Sequence, residues 1–266
     1  ADVADPNWAT GVVADPEGVV KATSDLSITF AENPVGAVTA INQIDDLDPV
    51  FAGTVLSGIH NENQALGAQF LLSIGAADPA RLEGLLSTMT ASDAVGAGII
   101  FTSLINENTP EIAAFLEDAI EGPNSDSLKR MFVESAKNDD IAISQLVNQV
   151  VTSPGGEMST ANALLAVAYE DTTIASEIVG VTSAETTAVW QAFIAIDPTI
   201  GGEVFVKANA NGYGQQVIDK IVALAEADNY VSGILVAHMA KADAVETAPI
   251  YSALIEDGSG DLGSKV

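Results

Sequence analysis

Large apolar residues recur along this chain at fixed distances from nine short polar residues, which we call anchors. The anchors are Asp15, Asp48, Asp78, Asn108, Asp139, Asp171, Asp197, Asp228 and Asp257. Successive anchors lie 26 to 33 residues apart, and a large apolar residue stands seven positions before each one, as at Trp8, Leu71 and Trp190. A further pair of mostly apolar residues follows every anchor except the last by seven and eight positions. Self-similarity at such a period is typical of stacked supersecondary units.

Each anchor is predicted to stand where a helix begins. Asp and Asn side chains accept hydrogen bonds from the free N–H groups of a first helical turn. Proline is favoured at the first helical position, and it directly follows Asp15, Asp48, Asp78 and Asp197. Apolar residues recur at helical spacing on both sides of the anchors. Each unit is therefore predicted to be a pair of helices of about ten residues each, with the anchor at the bend.

Polar, loop-forming segments separate the predicted units. Examples are residues 60–63, 122–125, 153–156 and 209–212. We expect turns there, because Gly and Asn tolerate positive φ and Pro ends helices. Residues 26–30 alternate apolar and polar side chains, so the connection before Pro34 is predicted to be either a plain link or a short extended segment.

Short helical hairpins cannot bury their apolar faces alone, but stacked neighbours share one core. The sequence therefore predicts an all-α fold, either a right-handed α-solenoid or a compact array, of about nine short helical hairpins with a repeat of ~30 residues. One helical-repeat domain is predicted over 1–266, with an opening repeat at 1–33, central repeats at 34–243 and a degenerate closing repeat and tail at 244–266. The Asp-Pro pairs resemble those that open the second helix of HEAT-like repeats. The basic inner helices of those repeats are almost absent here, so no family is inferred.

Composition excludes several classes of function. The chain has 37 acidic and nine basic residues and a net charge of −28. Nucleic acid is an implausible partner, because phosphate binding needs clusters of Lys and Arg, and anionic membrane surfaces are disfavoured for the same reason. The acidity fits salty surroundings, bridging of copies by divalent cations, or plain solubility. There is no cysteine, which excludes disulfides and thiolate chemistry.

No apolar run approaches the ~18 residues that span a bilayer, so membrane insertion is not expected. The chain starts with small and polar residues and without Met. This start favours removal of a signal peptide and an extracellular or cell-surface location, although a trimmed chain would start in the same way.

Calcium is the ion that the sequence favours. Asp45, Asp46 and Asp48 offer hard oxygen ligands in one turn, and Asp257 and Asp261 offer more in the closing segment. Neither cluster has EF-hand spacing, and the first is equally explained as a helix cap with a solvated turn. We therefore expect no cofactor, with calcium at these turns as the open possibility.

No catalytic motif stands out in the sequence. His60 and His238 are the two histidines. Both are predicted to lie near helix C-termini, where a partly positive imidazole complements the helix dipole. Neither a phosphate-binding glycine loop nor a nucleophile elbow is present. The sequence therefore indicates that the chain is not an enzyme, with a site built from scattered residues as the alternative.

The two ends of the predicted array carry apolar residues, whereas solenoids that stay monomeric carry polar caps. The predicted assembly interface consists of Trp8, Val12, Val13, Ile250, Tyr251, Leu254 and Ile255. Complementary ends make a head-to-tail contact, which generates fibres or rings. The sequence predicts a secreted, non-catalytic structural protein that assembles with its own copies into a filament, sheath or surface layer. The alternative is an acidic scaffold that binds a basic protein or peptide on its concave face.

Overall fold

The computed structural model describes residues 3–5, 7–150 and 155–256, and its secondary structure is helical throughout. The helices are α1 (Trp8–Ala14), α2 (Gly18–Glu32), α3 (Pro34–Leu47), α4 (Pro49–Glu62), α5 (Gln64–Ala77), α6 (Pro79–Ser92), α7 (Ala94–Glu107), α8 (Thr109–Ala119), α9 (Ser125–Asn138), α10 (Asp140–Val150), α11 (Glu157–Glu170), α12 (Thr172–Val181), α13 (Thr187–Ile196), α14 (Pro198–Ala208), α15 (Gly214–Ala227), α16 (Asn229–Ala242) and α17 (Ala244–Glu256). Within the described ranges there is no strand, which confirms the all-α prediction.

Single Asp or Asn residues connect most successive helices, and we call them joint residues. They are Asn33, Asp48, Asn63, Asp78, Asp93, Asn108, Asp139, Asp171, Asp197, Asp228 and Asp243. Asp48 shows why one residue suffices. Its backbone N–H donates to the Ile44 carbonyl at 2.8 Å, which ends α3. Its Oδ1 accepts from the N–H groups of Val50 and Phe51, both at 3.0 Å, which begins α4. Its extended backbone turns the chain between these two roles.

The joints correct the predicted helix lengths. Helices α3 to α7 each have fourteen residues rather than about ten. The predicted length is confirmed for α12 and α13, which have ten residues each. Residues 60–62, predicted as part of a turn, belong to α4, and Asn63 alone makes the connection to α5. A longer loop is not needed, because the joint side chain accepts hydrogen bonds from the first N–H groups of the next helix. Positive φ occurs among the described residues at Gly155 and Gly212 alone.

The alternating segment at residues 26–30 is helical, so the expectation of a connection or an extended segment there is wrong. It forms part of α2, where Ala22, Leu26 and Phe30 are buried on one face. These residues are four positions apart, and the helical spacing therefore outweighs the local alternation.

The helices group into two compact units, each with its helices in two rows. The first unit comprises α1 to α7 with α9, and the second comprises α8 with α10 to α17. In the first unit α1, α3, α5, α7 and α9 form one row, and α2, α4 and α6 form the other. In the second unit one row consists of α8, α10, α12, α14 and α16. The other row consists of α11, α13, α15 and α17. The single domain with repeats bounded at 33 and 243 stays a prediction.

The core lies between the rows of each unit and is built from the same helix positions. Counted from the joint residue, positions 4, 7, 8 and 11 are buried in each of α4 to α7. In α6 these are Leu82, Leu85, Leu86 and Met89. Together they form one stripe of an amphipathic helix. None of the described helices is long and apolar enough to cross a membrane.

Candidate functional site

Asp45 and Asp46, which the sequence places in a turn and favours for calcium, lie at the end of helix α3, where Arg81 contacts both. Arg81 of α6 donates from one terminal nitrogen to Asp45 at 2.7 Å and from the other to Asp46 at 2.9 Å. It also donates to the Asn42 carbonyl at 3.1 Å. Burial raises the pKa of the Asp45 carboxyl, and the charge of Arg81 opposes that rise. The guanidinium therefore supplies the positive charge that these carboxylates need.

The third residue of that cluster has a different role. Asp48 caps α4 through its Oδ1, as described above, so the structure gives all three carboxylates partners within the protein. No group of three or more His, Asp or Glu side chains in the described part of the chain is placed to hold a metal ion. Asp257 and Asp261 lie outside the described residues, and calcium binding there stays a prediction.

Burial disfavours the charged form of His60. His60 is almost fully buried at the end of α4, and burial lowers its pKa below the ordinary value. Its Nε2 lies 2.9 Å from Ser103 Oγ, which in turn donates to the Ile99 carbonyl at 3.2 Å. The ring therefore ties α4 to α7 by a hydrogen bond. His60 lies in the last turn of α4, as predicted, while its burial disfavours the charged ring that a helix-dipole role requires.

One buried charged group was not singled out from the sequence. Lys220 of α15 is 2% exposed, and its Nζ donates to the Thr182 carbonyl at 2.6 Å. Burial lowers the pKa of Lys220 from 10.5 to about 8, while Asp219 opposes this shift. Its neighbours Val217 and Ile221 are also buried, and this apolar setting was the signal available in the sequence.

At the opening of the chain, the residues predicted to form an assembly interface are mostly inside the fold. Trp8 and Val12 are buried and Val13 is half-buried. The indole Nε1 of Trp8 donates to Asp25 Oδ2 at 3.2 Å, which fixes α1 on α2. Trp8 is thus a core residue of the first unit.

The closing helix divides its predicted interface residues between core and surface. Ile250 and Leu254 of α17 are buried. Tyr251 and Ile255 are 44% and 51% exposed. The same helix therefore has a core side and a second apolar side that no described helix covers.

We call this second side the stacking side, because in earlier helices it is the side on which a neighbouring helix packs. Positions 5, 8 and 12 after the joint residue are all buried in α4, α5 and α7. In α17 the same three positions are exposed, at Ala248, Tyr251 and Ile255. In α16 the fifth position, Gly233, is half-buried and the twelfth, Ala240, is exposed. The last described hairpin thus leaves open the face on which earlier helices receive a neighbour.

Glycines at the fifth position show what such a face receives. A Cβ added to Gly98 of α7 would lie 2.7 Å from the Glu134 carbonyl carbon of α9. A Cβ added to Gly202 of α14 would lie 2.5 Å from the His238 carbonyl carbon of α16. In both cases the backbone of the next helix in the row packs directly on the glycine. Gly233 is the equivalent residue of α16.

We call the uncovered stacking side of α16 and α17 the open face. A groove of about 350 Å³ lies along it. It is lined by Gly233, Val236, Ala237, Ala240, Ala244, Thr247, Ala248 and Tyr251. None of these side chains is charged, and Tyr251 is the one large residue among small ones. An apolar groove on an acidic protein is typical of a contact surface.

The chain matches no protein-family model, and no curated protein and no solved structure is significantly similar to it.

Proposed function

We propose that this chain is a non-catalytic structural protein that associates with its own copies through the open face. The supporting observation is that positions 5, 8 and 12 are exposed in α17 although they are buried in α4, α5 and α7. A stacked helical array is stabilised by contacts between neighbouring units, so an uncovered stacking face favours the addition of another helix.

The charge distribution favours a second copy meeting this face. Copies with a net charge of −28 repel one another over most of their surfaces. The open face carries no charged residue in its groove, so two copies approach there with the least repulsion. We therefore expect association to strengthen as salt screens the remaining charges.

The composition of residues 257–266 does not favour a covering helix. Residues 257–266 include three glycines and two serines, with Leu262 and Val266 as the apolar residues. Glycine is among the poorest helix formers, and two apolar side chains cannot form the stripe that a stacked helix needs.

The proposal keeps several finer expectations from the sequence. These are the right-handed α-solenoid of about nine hairpins with a repeat of ~30 residues, assembly into a filament, sheath or surface layer, and a location outside the cell. Binding of a basic partner to a concave face remains the alternative.

Light scattering coupled to size-exclusion chromatography tests this function. We expect the mean mass of the wild-type chain to rise with protein concentration, and to rise further at high salt. Ala237→Glu places a charge in the groove and should keep the chain monomeric. Ala114→Glu places the same charge on an exposed position of α8 and should behave as the wild type. A wild-type chain that stays monomeric at every concentration and salt level would contradict the proposal.

A further inference from the structure

The large and the small residues of the open face lie side by side. Gly233 precedes the joint residue Asp243 by ten positions, and Tyr251 follows it by eight. At 1.5 Å per helical residue, Gly233 and Tyr251 lie roughly 15 Å and 12 Å from the joint, along two neighbouring antiparallel helices. The face therefore holds a projecting ring and a hollow at nearly the same height.

We propose that the open face pairs with the same face of a second copy about a two-fold axis, so that Tyr251 of each copy packs into the hollow at Gly233 of the other. The axis lies in the plane of contact and runs parallel to α16 and α17. Rotation about it lays α17 of each copy over α16 of the other and leaves heights along the helices unchanged. This inference rests on the proposed function and specifies its contact.

The pairing continues the stacking seen inside the protein. Gly98 and Gly202 each receive a neighbouring helix at close range, and Gly233 stands at the equivalent position of α16. In the pair, α17 of the second copy is the helix that approaches Gly233. An isologous contact of this kind closes on itself and needs only one surface, so growth of the pair into a filament, sheath or surface layer requires a second contact elsewhere on the chain.

The opening end of the chain is less suited to meet the open face. Trp8 and Val12 are buried in the first unit. The exposed apolar residues Val20 and Ile28 lie eight positions apart on α2, with the exposed Ser24 between them. This stripe is the apolar surface of α2 that a head-to-tail contact could use, so a charge at Ile28 tests that arrangement.

The size of the face predicts a weak pair. Two helices about 9 Å apart give a width of ~18 Å, and fourteen residues give a length of ~21 Å. Each copy then contributes roughly 400 Å² in projection, about half of the ~800 Å² that each partner buries in a standard stable complex. Pairing is therefore expected at high protein concentration.

An exchange of the large and small residues tests the two-fold contact. Gly233→Leu fills the hollow, and Tyr251→Ala removes the ring. We expect each variant alone to associate at least about tenfold more weakly than the wild type. Mixed together, they should pair with each other, because one contact is then native and the other sets Leu at 233 against Ala at 251. Native mass spectrometry of chains with different tags identifies the mixed dimer, and circular dichroism verifies that both variants fold.

Tyr230→Ala removes an exposed ring of α16 that is not among the groove residues, and it should pair as the wild type does. If the wild type associates but the mixture does not, the two-fold contact is wrong while the proposed function stands. Loss of association in Ile28→Glu would establish a head-to-tail contact and overturn the two-fold pair. Association that appears only after removal of residues 257–266 would identify that segment as the occupant and overturn pairing of the intact chain. A monomeric wild type would overturn both the pair and the function.

Discussion

Lys220 allows a quantitative test of the structure, because its buried ammonium makes stability depend on pH. The side chain is 2% exposed and donates to the Thr182 carbonyl at 2.6 Å. Its pKa is lowered to about 8 in the folded protein. In the unfolded chain the group titrates near its ordinary value of 10.5. Between these two values the unfolded chain binds more protons than the folded one, so the free energy of unfolding increases with pH.

The size of the effect follows from the shift. About 2.5 pH units at about 1.4 kcal/mol per unit gives about 3 kcal/mol. Below pH 8 both states carry the proton, and the folded protein bears the full cost of the buried charge. From about pH 8 to about 10.5 that cost is progressively removed.

The assay compares wild-type unfolding in urea with that of Lys220→Met from pH 7 to pH 10.5. The variant loses the donor to Thr182, which adds an offset that does not depend on pH. The informative quantity is therefore how the difference in free energy of unfolding between wild type and variant changes with pH. The wild type should gain about 3 kcal/mol relative to the variant across this range. Lys241→Met, at an exposed position of α16, should follow the wild type. A difference between the wild type and Lys220→Met that stays constant with pH would refute the assignment of Lys220 as a buried charge.

Three further predictions concern stability and are checked by denaturant unfolding. Asp48→Ala removes the acceptor of two backbone N–H groups and should cost about 1 kcal/mol, whereas Asp48→Asn should be nearly neutral; equal costs would show that the cap is not responsible. Arg81→Met breaks the contacts with Asp45 and Asp46 and should cost about 1–3 kcal/mol, less at high salt, while Arg130→Met at an exposed position should change stability little; a similar loss in both would contradict a specific contact. Gly202→Ala forces a Cβ against the backbone of α16 and should cost about 1–3 kcal/mol. Gly84→Ala meets no neighbouring atom and should stabilise by up to about 1 kcal/mol; the same sign in both would refute the packing argument.

The helical class and the capping role of the anchors could be predicted from the sequence, because both depend on local chemistry. Asp78, for example, accepts from the N–H of Arg81 at 3.1 Å, as expected of a residue at the start of a helix. The intervening joints were missed. Asn33 and Asn63 lie fifteen residues on either side of Asp48, but their surroundings were interpreted as polar turns. A single residue in extended backbone connects two helices only when its side chain reaches the next N–H groups, and composition alone does not show that.

The open face could be predicted only in part. Tyr251 and Ile255 were assigned to the assembly interface; both are exposed, and the interface itself stays a prediction. Ile250 and Leu254 were assigned to the same interface, but they face the core of the second unit. Periodicity shows that a helix has apolar residues, but it does not show which of two apolar sides a neighbour covers. Gly233 has a recognisable sequence signal once the joints are known, because it stands five residues after Asp228, as Gly53 stands after Asp48.

The joint residues also constrain how a chain of this kind changes length. Because one joint residue both ends a helix and begins the next, the connection contains no extra residues that could accommodate an insertion. Length therefore changes in steps of one helix with its joint, which is fifteen residues in α3 to α7. Successive helices of this stretch alternate between the two rows, so a single step would move every later helix of the unit into the opposite row. Two steps leave each helix in its row. Chains that share this stretch should accordingly differ in its length by whole pairs of helices.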